Sequence, residues 1–259
     1  MKLIKYFKIY LKLQKYNLQK LSIYKLDYFI GIITFSINQL FSILTLLIIF
    51  KNTISLGDWN YYQLLFLQGY ISLIIGITDL LTDNLWSFAG TIIARGEFDK
   101  YLIKPIPSLL AVIIDRFQME AIGSIIISSI IVIYSCIKMR MNLNLSFFVY
   151  ILSSCLIIIA IKIIVASTAF KLKKSRALMY LIFKFLDFCK YPLTIYPKMI
   201  QFFLTILLPF GIASYYSVKS ILNYSAYFSF IFLFLSLCLI CLAIRIWNVS
   251  LRHYSSSGT

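Results

Sequence analysis

The amino-acid sequence predicts an all-α membrane protein that crosses the bilayer about six times. Of its 259 residues, 61% are hydrophobic and only 13% are charged, whereas a soluble domain carries about 25% charged residues. The apolar residues come in long runs, and each span needs about 20 of them. The length therefore suits one membrane domain with short connections and leaves no room for a sizeable soluble domain.

The chain begins with a basic amphipathic segment, residues 1–27. Its lysines alternate with leucine, tyrosine and phenylalanine at helical spacing. This pattern predicts an interfacial helix that lies on the membrane surface. The lysines are Lys2, Lys5, Lys8, Lys12, Lys15, Lys20 and Lys25.

Five apolar runs predict spans directly. The first run, residues 28–50, contains no charged residue and is long enough to cross the hydrocarbon core. The other four are residues 61–82, 115–137, 147–170 and 226–247. In the third, the apolar helix pattern begins earlier, around Ser108, which predicts an approach along the membrane surface. Lys162 lies near the basic end of the fourth, where its side chain is expected to snorkel to the interface.

Residues 177–222 are apolar for too long to be one span and too broken to be two ordinary ones. Hydropathy alone selects residues 199–218 as the fifth span, because they contain no charged residue over 20 positions. Pro192, Pro197 and Pro209 instead favour short broken helices. Such helices are tolerated at membrane depth only when they pack against protein or line a cavity.

The basic residues predict that both termini are cytoplasmic. If the spans alternate, the N-terminal lysines and the clusters around Lys100 and Lys173 fall on one side, which identifies that side as the cytoplasm. The net charge of +16 sits mainly at the edges of apolar runs. That placement suits anionic lipid headgroups and argues against a nucleic-acid partner.

No residues suited to catalysis stand out. The chain lacks the G-x-x-x-x-G-K-[ST] phosphate loop and has one histidine, so we expect no enzymatic activity, no metal site and no bound cofactor. Cys238 and Cys241 have the spacing of half a zinc site, but they lie in the middle of an apolar run. Core packing is the expected role of these two cysteines.

Four charged residues inside or beside predicted spans are candidates for a solute pathway. Asp79 and Asp83 are four residues apart and so lie on one helix face. They are either solvated charges at a helix end or part of a proton or cation relay. Lys184 and Asp187, three apart, are expected to neutralise one another within the fifth span.

One polar segment, Arg95 to Pro105, follows the second span. It mixes charges of both signs with aromatic and aliphatic groups that we expect to be exposed. Such a surface suits docking onto another protein, because apolar anchors give affinity and charges give register. An ordinary polar loop is the alternative.

Three strings in the chain resemble one family. GEFDKYLIKPI is similar to the pattern G-[ED]-[LF]-D-x-x-L-x-[KR]-P of ABC exporter permeases of the type-2 superfamily, in the branch of drug- and viologen-resistance exporters. YPLTIYPKMIQFFLTILLPFGIASYY and the C-terminal WNVSLRHYSSSGT agree in order and position, with Ser250 where the family usually has glycine. The resemblance covers essentially the whole chain.

The resemblance implies a permease subunit in the cell membrane. It pairs with a second permease, the same or homologous, and with two ABC ATPase subunits that bind ATP and Mg²⁺. It also implies a fifth span at residues 177–192 and a re-entrant hairpin at residues 193–222, the latter marked by Pro192, Tyr196, Pro197 and Pro209. The coupling residues would be Arg95, Gly96, Glu97, Phe98, Asp99, Lys100, Leu102 and Pro105.

Two other classes of function remain open at this point. A secondary transporter or channel without an ATPase would use Asp79, Asp83 and Lys162 as its relay. A non-transporting immunity or sensor protein would only occupy the membrane, and the coupling-like string argues against this class.

Overall fold

The computed structural model describes residues 25–52 and 55–255, and regular structure in this part of the chain is helical. The one exception is an isolated bridge between Leu56 and Trp59. The basic helix predicted for residues 1–27 lies outside the described residues except for its last three. We number the helices of eight or more residues α1 Lys25–Asn52, α2 Tyr61–Thr82, α3 Ser108–Asp115, α4 Ala121–Met139, α5 Leu145–Ser167, α6 Arg176–Lys184 and α7 Ala226–Leu251.

The all-helical membrane fold is confirmed. Five of these helices, α1, α2, α4, α5 and α7, are long and apolar enough to cross a membrane. A sixth candidate is a pair of short helices, Lys198–Leu207 and Ile212–Leu222, which meet at an angle of 83°. We call these two helices the bent pair.

The third long helix begins later than the sequence predicts. Residue 115 ends the separate short helix α3, and α4 begins only at Ala121. Arg116 between them has extended backbone angles, φ −142° and ψ 139°, so one helix cannot continue through this point. The approach helix expected from Ser108 is therefore a distinct element.

The long helices form a bundle with two ends. We call the Gly96 end the one where α2 ends and α4 begins, and the Asn144 end the one where α4 ends and α5 begins. A capping box starts α2 at the Asn144 end: Gln63 N donates to Asn60 Oδ1 at 3.0 Å, and Asn60 N donates to Gln63 Oε1 at 2.9 Å. These bonds satisfy two of the donors that a helix leaves unpaired at its start.

Glycines allow α2 and α4 to pack closely. A Cβ on Gly69 would lie 2.9 Å from Ile131 Cγ2, and one on Gly76 would lie 2.8 Å from Ile125 Cγ1. Small residues at helix contacts let backbones approach where lipid provides no hydrophobic driving force. In α7 the small buried residues Ser229, Ser236 and Ala243 recur every seventh position. They form a face of small side chains against which α5 packs closely.

This packing predicts a large effect of a side chain at Gly69. We expect Gly69→Val to lower the free energy of unfolding by about 1–3 kcal/mol, because overpacking forces neighbouring side chains out of their rotamers. Gly90→Ala is the matched control, since its Cβ would meet only the flexible Arg176 side chain, at 3.0 Å. Thermal unfolding in detergent measures both. Equal melting temperatures for Gly69→Val and wild type would contradict the close α2–α4 contact.

The segment that contains α6 runs from one end of the bundle to the other. At its start, Ser175 N donates to Ala89 O at 2.8 Å, near the Gly96 end. α6 continues as the 3₁₀ helix Phe185–Lys190. Beyond it, Thr194 Oγ1 lies 3.4 Å from the Cβ position of Gly57, which belongs to the loop before α2 at the Asn144 end. This course supports the proposed fifth span near residues 177–192.

Both arms of the bent pair reach the Asn144 end. The ring of Tyr215 lies 5.5 Å from that of Trp59, and Tyr150 OH donates to Ser225 O at 2.6 Å, just beyond the second arm. The bend lies at Leu208 and Pro209, where φ −116° and ψ 84° at Leu208 leave the helical region. The single straight span that hydropathy selects at residues 199–218 is therefore wrong, because the pair is bent by 83°, as in a broken span or a re-entrant loop.

Two cysteines occupy the opposite environment from the one expected. Cys238 and Cys241 are exposed on α7, so the prediction that they pack in the core is wrong. An apolar residue on the lipid-facing side of a span gains nothing from burial in protein, because lipid is equally apolar. Hydropathy therefore cannot separate the two environments.

Candidate functional site

The segment Arg95 to Pro105 is held in a defined conformation at the Gly96 end. Gly96 has φ +69°, a conformation that glycine adopts without steric cost. Glu97 N then donates to Ile92 O at 3.0 Å. One helical turn, Asp99–Leu102, follows. The chain therefore makes a tight, hydrogen-bonded turn here in place of an unstructured loop.

Phe98 lies in the middle of an aromatic cluster beneath this segment. Its ring is 5.0 Å from Tyr254, 5.2 Å from Phe170 and 5.6 Å from Phe88. Trp247 completes the cluster at 4.7 Å from Phe88 and 5.0 Å from Phe170. We call these five residues the aromatic cluster. Edge-to-face contacts at such distances add to the stability that burial provides.

The prediction that Phe98 is an exposed anchor is wrong. Phe98 and Trp247 are both fully buried, because the chain just after α2, the end of α5 and the end of α7 converge at this point. Phe98 is therefore the part of the segment that fixes it to the bundle. Exposed aliphatic groups are present, but they are Leu102 and Ile103, whose exposures are 47% and 85%.

The outer face of the segment carries exposed charged side chains. Arg95 and Lys100 lie 3.8 and 3.4 Å from the Glu97 carboxylate. All three side chains are well exposed, and ion pairs of this kind contribute little to stability. Asp99 is exposed too, but it accepts a hydrogen bond from Tyr254 OH at 3.0 Å. Pro105 lies exposed at the end of the segment.

A polar network joins the segment to α3. Asp115 accepts hydrogen bonds from Tyr101 OH at 2.8 Å and from Lys104 Nζ at 3.0 Å, and Asn84 Nδ2 donates to Val112 O at 2.7 Å. Burial raises the pKa of Tyr101. Burial opposes ionisation of Asp115 as well, but the bonds from Tyr101 and Lys104 outweigh it and hold its pKa below the ordinary value. Sequence reasoning missed this network, because one of its bonds joins residues that are 28 positions apart.

The second group of functional interest is a buried ion pair between α5 and α2. Lys162 Nζ donates to Asp79 Oδ1 at 2.6 Å and to Thr82 Oγ1 at 3.2 Å. The Lys162 side chain is only 1% exposed, so the prediction that it snorkels to the interface is wrong. Snorkelling requires a route along the helix to water. The Lys162 face of α5 is instead covered by α2 and α6, and Asp79 satisfies the charge.

This ion pair lines a cavity of about 270 Å³ between α2 and α6. Trp86 and Phe183, whose rings are 5.5 Å apart, form its aromatic wall. Asp187 also lines the cavity and is paired with Lys184 at 3.6 Å and Lys190 at 2.8 Å. The predicted contact of Lys184 with Asp187 is thus present, although Lys190 is the closer partner.

Asp79 and Asp83 are not partners of one another. Asp83 pairs with Arg116 at 3.5 Å, while Asp79 pairs with Lys162. The side chain of Asp83 is 14% exposed and that of Asp79 is 21% exposed, so neither is a freely solvated charge at a helix end. The structure brings Asp79, Lys184 and Asp187 to one cavity and leaves Asp83 outside its lining.

Three of the residues predicted to mark the hairpin, Pro192, Tyr196 and Pro197, lie towards the Asn144 end. Pro192 and Pro197 precede the short helices Leu193–Ile195 and Lys198–Phe202. Tyr196 OH donates to Phe188 O at 3.1 Å, and Gln201 Nε2 donates to Tyr196 O at 2.8 Å. Pro209 stands at the bend. These bonds tie the first arm of the bent pair to the end of the α6 segment.

Comparison with known proteins decides the family. A family profile described as ABC-2 family transporter protein matches residues 36–258. The chain belongs to the ABC-2 transporter family. No curated protein and no solved structure matches it. The resemblance to type-2 ABC exporter permeases is therefore confirmed at the level of the family, and the match includes the aromatic cluster, the Lys162–Asp79 pair and the bent pair of this multi-pass ABC-2 protein.

Proposed function

We propose that this ABC-2 protein is the permease subunit of an exporter in the cell membrane. Two permeases, identical or homologous, form the pathway, and two separate ABC ATPase subunits that bind ATP and Mg²⁺ drive it. The Gly96 end and both termini face the cytoplasm, in agreement with the distribution of Lys and Arg. The strings shared with the drug- and viologen-resistance branch are architectural, so the proposal extends to the role of the subunit and not to its substrate.

The observation that carries this proposal is the attachment of the Arg95–Pro105 surface to the aromatic cluster. Phe98 and Phe88 belong to the chain that leaves α2, Phe170 to the short helix Ala169–Leu172 that follows α5, and Trp247 to α7. A partner that presses on the exposed charges therefore moves three helices together, whereas pressure on an ordinary loop would be absorbed locally. This is the mechanical property that a coupling segment requires.

We place the solute pathway at the cavity beside Lys162. Charged groups at membrane depth face protein or a water-filled cavity. Lys184 and Asp187 are about half exposed and lie beside the cavity on the same side of the molecule. A second permease that packs against this side would cover them and enclose the pathway, and Asp79 and Lys162 would then line its wall.

Charge reversal at Glu97 tests the coupling surface. We expect Glu97→Lys to weaken association with the ATPase subunit about tenfold, because like charges placed across an interface repel. Co-purification in mild detergent and titration of the purified ATPase measure it. Asp58→Lys is the matched control, an exposed acidic residue at the Asn144 end, and should bind like wild type. Wild-type affinity in Glu97→Lys would contradict the assignment.

Transport by reconstituted vesicles separates this function from a secondary transporter. Under our proposal, solute moves only when the ATPase and ATP are present on the side of the Gly96 end. The Lys162–Asp79 pair is the feature that would suit an ATPase-independent carrier. Transport that proceeds at the same rate without any ATPase would establish that alternative and overturn the proposal.

A further inference from the structure

A groove follows one face of α7 where the bent pair packs against it. It consists of two cavities of about 420 and 460 Å³. Thr205 and Ile212 of the bent pair line both cavities. The two cavities are therefore neighbours along the groove, which has a polar end and an apolar end.

The apolar end lies beside the bend, where the lining residues Leu207 and Leu242 are 65% and 49% exposed. Its lining contains no charged residue, and its single hydroxyl, that of Thr205, already donates to Gln201 O at 2.7 Å. The walls come from α5, the bend and α7. They include Ile161, Ile164, Leu208, Leu235, Leu239 and Leu242. Such a surface offers contacts only to hydrocarbon.

The polar end opens at the Asn144 end of the bundle. Lys219, Ser220, Asn223 and Tyr216 line it, and the lining contains no acidic residue. Lys219 is exposed, with its Nζ 5.8 Å from the centre of the Tyr215 ring. A cation surrounded by hydroxyl and amide groups suits a phosphate group.

The groove has the length of one membrane leaflet. Phe228, Phe232, Leu235, Leu239 and Leu242 of α7 line it at alternating spacings of four and three, so they form one stripe along the helix. From residue 228 to residue 242 an α-helix rises about 21 Å. This exceeds half of the roughly 30 Å hydrocarbon core, which is the depth that one acyl chain occupies.

We propose that this groove is a binding site for an anionic phospholipid from the leaflet at the Asn144 end. Lys219 binds the phosphate, Ser220 and Asn223 surround the headgroup, and one acyl chain lies along the α7 stripe to Leu242. The lone cation at the mouth and the uncharged depth favour a lipid over the helix of a second copy, which would have to place an acidic group at Lys219. This site is independent of the proposed function.

Native mass spectrometry of the full-length protein in mild detergent tests the headgroup contact. The probes are phosphatidylglycerol and phosphatidylcholine with the same acyl chains. We expect wild type to retain phosphatidylglycerol preferentially. Lys219→Gln should retain about tenfold less phosphatidylglycerol than wild type. Lys138→Gln is the control, because Lys138 is an exposed lysine at the same end whose Nζ lies over Tyr134. Equal retention by wild type and Lys219→Gln would overturn the proposal.

A second variant tests the acyl-chain contact. Leu242→Trp fills the apolar end of the groove, and we expect it to reduce retention of both lipids to a similar degree. Leu237→Trp changes an equally exposed leucine of α7 outside the groove and should leave retention unchanged. If Leu242→Trp instead abolished self-association of the protein and spared lipid retention, a second copy would be the occupant and the lipid assignment would be wrong.

Discussion

Lys162→Met is expected to lower the free energy of unfolding by about 3–5 kcal/mol, because it leaves the Asp79 carboxylate without its cation in a largely buried position. The pair is close, at 2.6 Å, and Lys162 is 1% exposed. Thermal unfolding in detergent measures the loss. Lys173→Met, which removes an exposed lysine at the Gly96 end, should change the melting temperature little.

A double variant shows whether the loss comes from the unpaired charge. In Lys162→Met with Asp79→Leu both charges are absent. We expect most of the lost stability to return, because no unpaired charge is left in the buried site and two apolar side chains pack there instead. Transport should remain impaired in the double variant if the pair lines the pathway. A double variant less stable than Lys162→Met alone would show that the ion pair is not the source of the effect.

Phe98→Ala is expected to separate ATP hydrolysis from transport. Removal of the fully buried ring lowers the free energy of unfolding by about 3–5 kcal/mol, because it leaves a cavity among Phe88, Phe170 and Trp247. The exposed charges at Arg95, Glu97 and Lys100 are unchanged, so the ATPase should still bind. Vesicles that contain this variant should hydrolyse ATP but export substrate at a greatly reduced rate.

Two controls define this result. Phe148→Ala removes a phenylalanine that is 63% exposed on α5 and should not alter coupling. Phe98→Leu retains most of the buried volume and should restore stability in large part. Export by Phe98→Ala at the wild-type rate per ATP hydrolysed would contradict the role of the aromatic cluster in transmission.

The two predictions concern different steps of the same cycle. Phe98 lies where a motor would press, and the Lys162–Asp79 pair lies deeper, where α2, α5 and α6 meet. α2 and α5 connect the two positions, since each contributes to the cavity beside Lys162 and to the helix ends around the aromatic cluster. Motion imposed at the Gly96 end therefore has a direct mechanical route to the proposed pathway.

Much of the fold could be predicted from hydropathy. A run of about 20 apolar residues must be helical at membrane depth, because lipid offers no partner to the backbone N–H and C=O groups. This is why the long helices α1, α2, α4, α5 and α7 lie where the apolar runs predict them, apart from the later start of α4. The short approach helix from Ser108 and the broken region after Pro192 were also visible, through periodicity and proline.

The functional site was predicted only in part. The string from Arg95 to Pro105 was recognisable because charges and apolar groups alternate there outside any span. Its composition did not reveal that Phe98 points inward, since an exposed and a buried phenylalanine look the same in a short polar segment. The partners that bury it, Phe170 and Trp247, are 72 and 149 residues further along the chain.

The sequence by itself thus determined that the chain is a helical membrane protein and where its five long apolar helices lie. Each of these depends on the transfer of local stretches between water and lipid, which neighbouring residues decide. Only the tertiary structure decided that Lys162 is paired with Asp79, that the two helices of the bent pair meet at 83°, and that five aromatic rings from distant segments meet beneath the segment Arg95 to Pro105. Those features depend on which helix faces pack together, and a nearly uniform apolar sequence does not specify its packing partners.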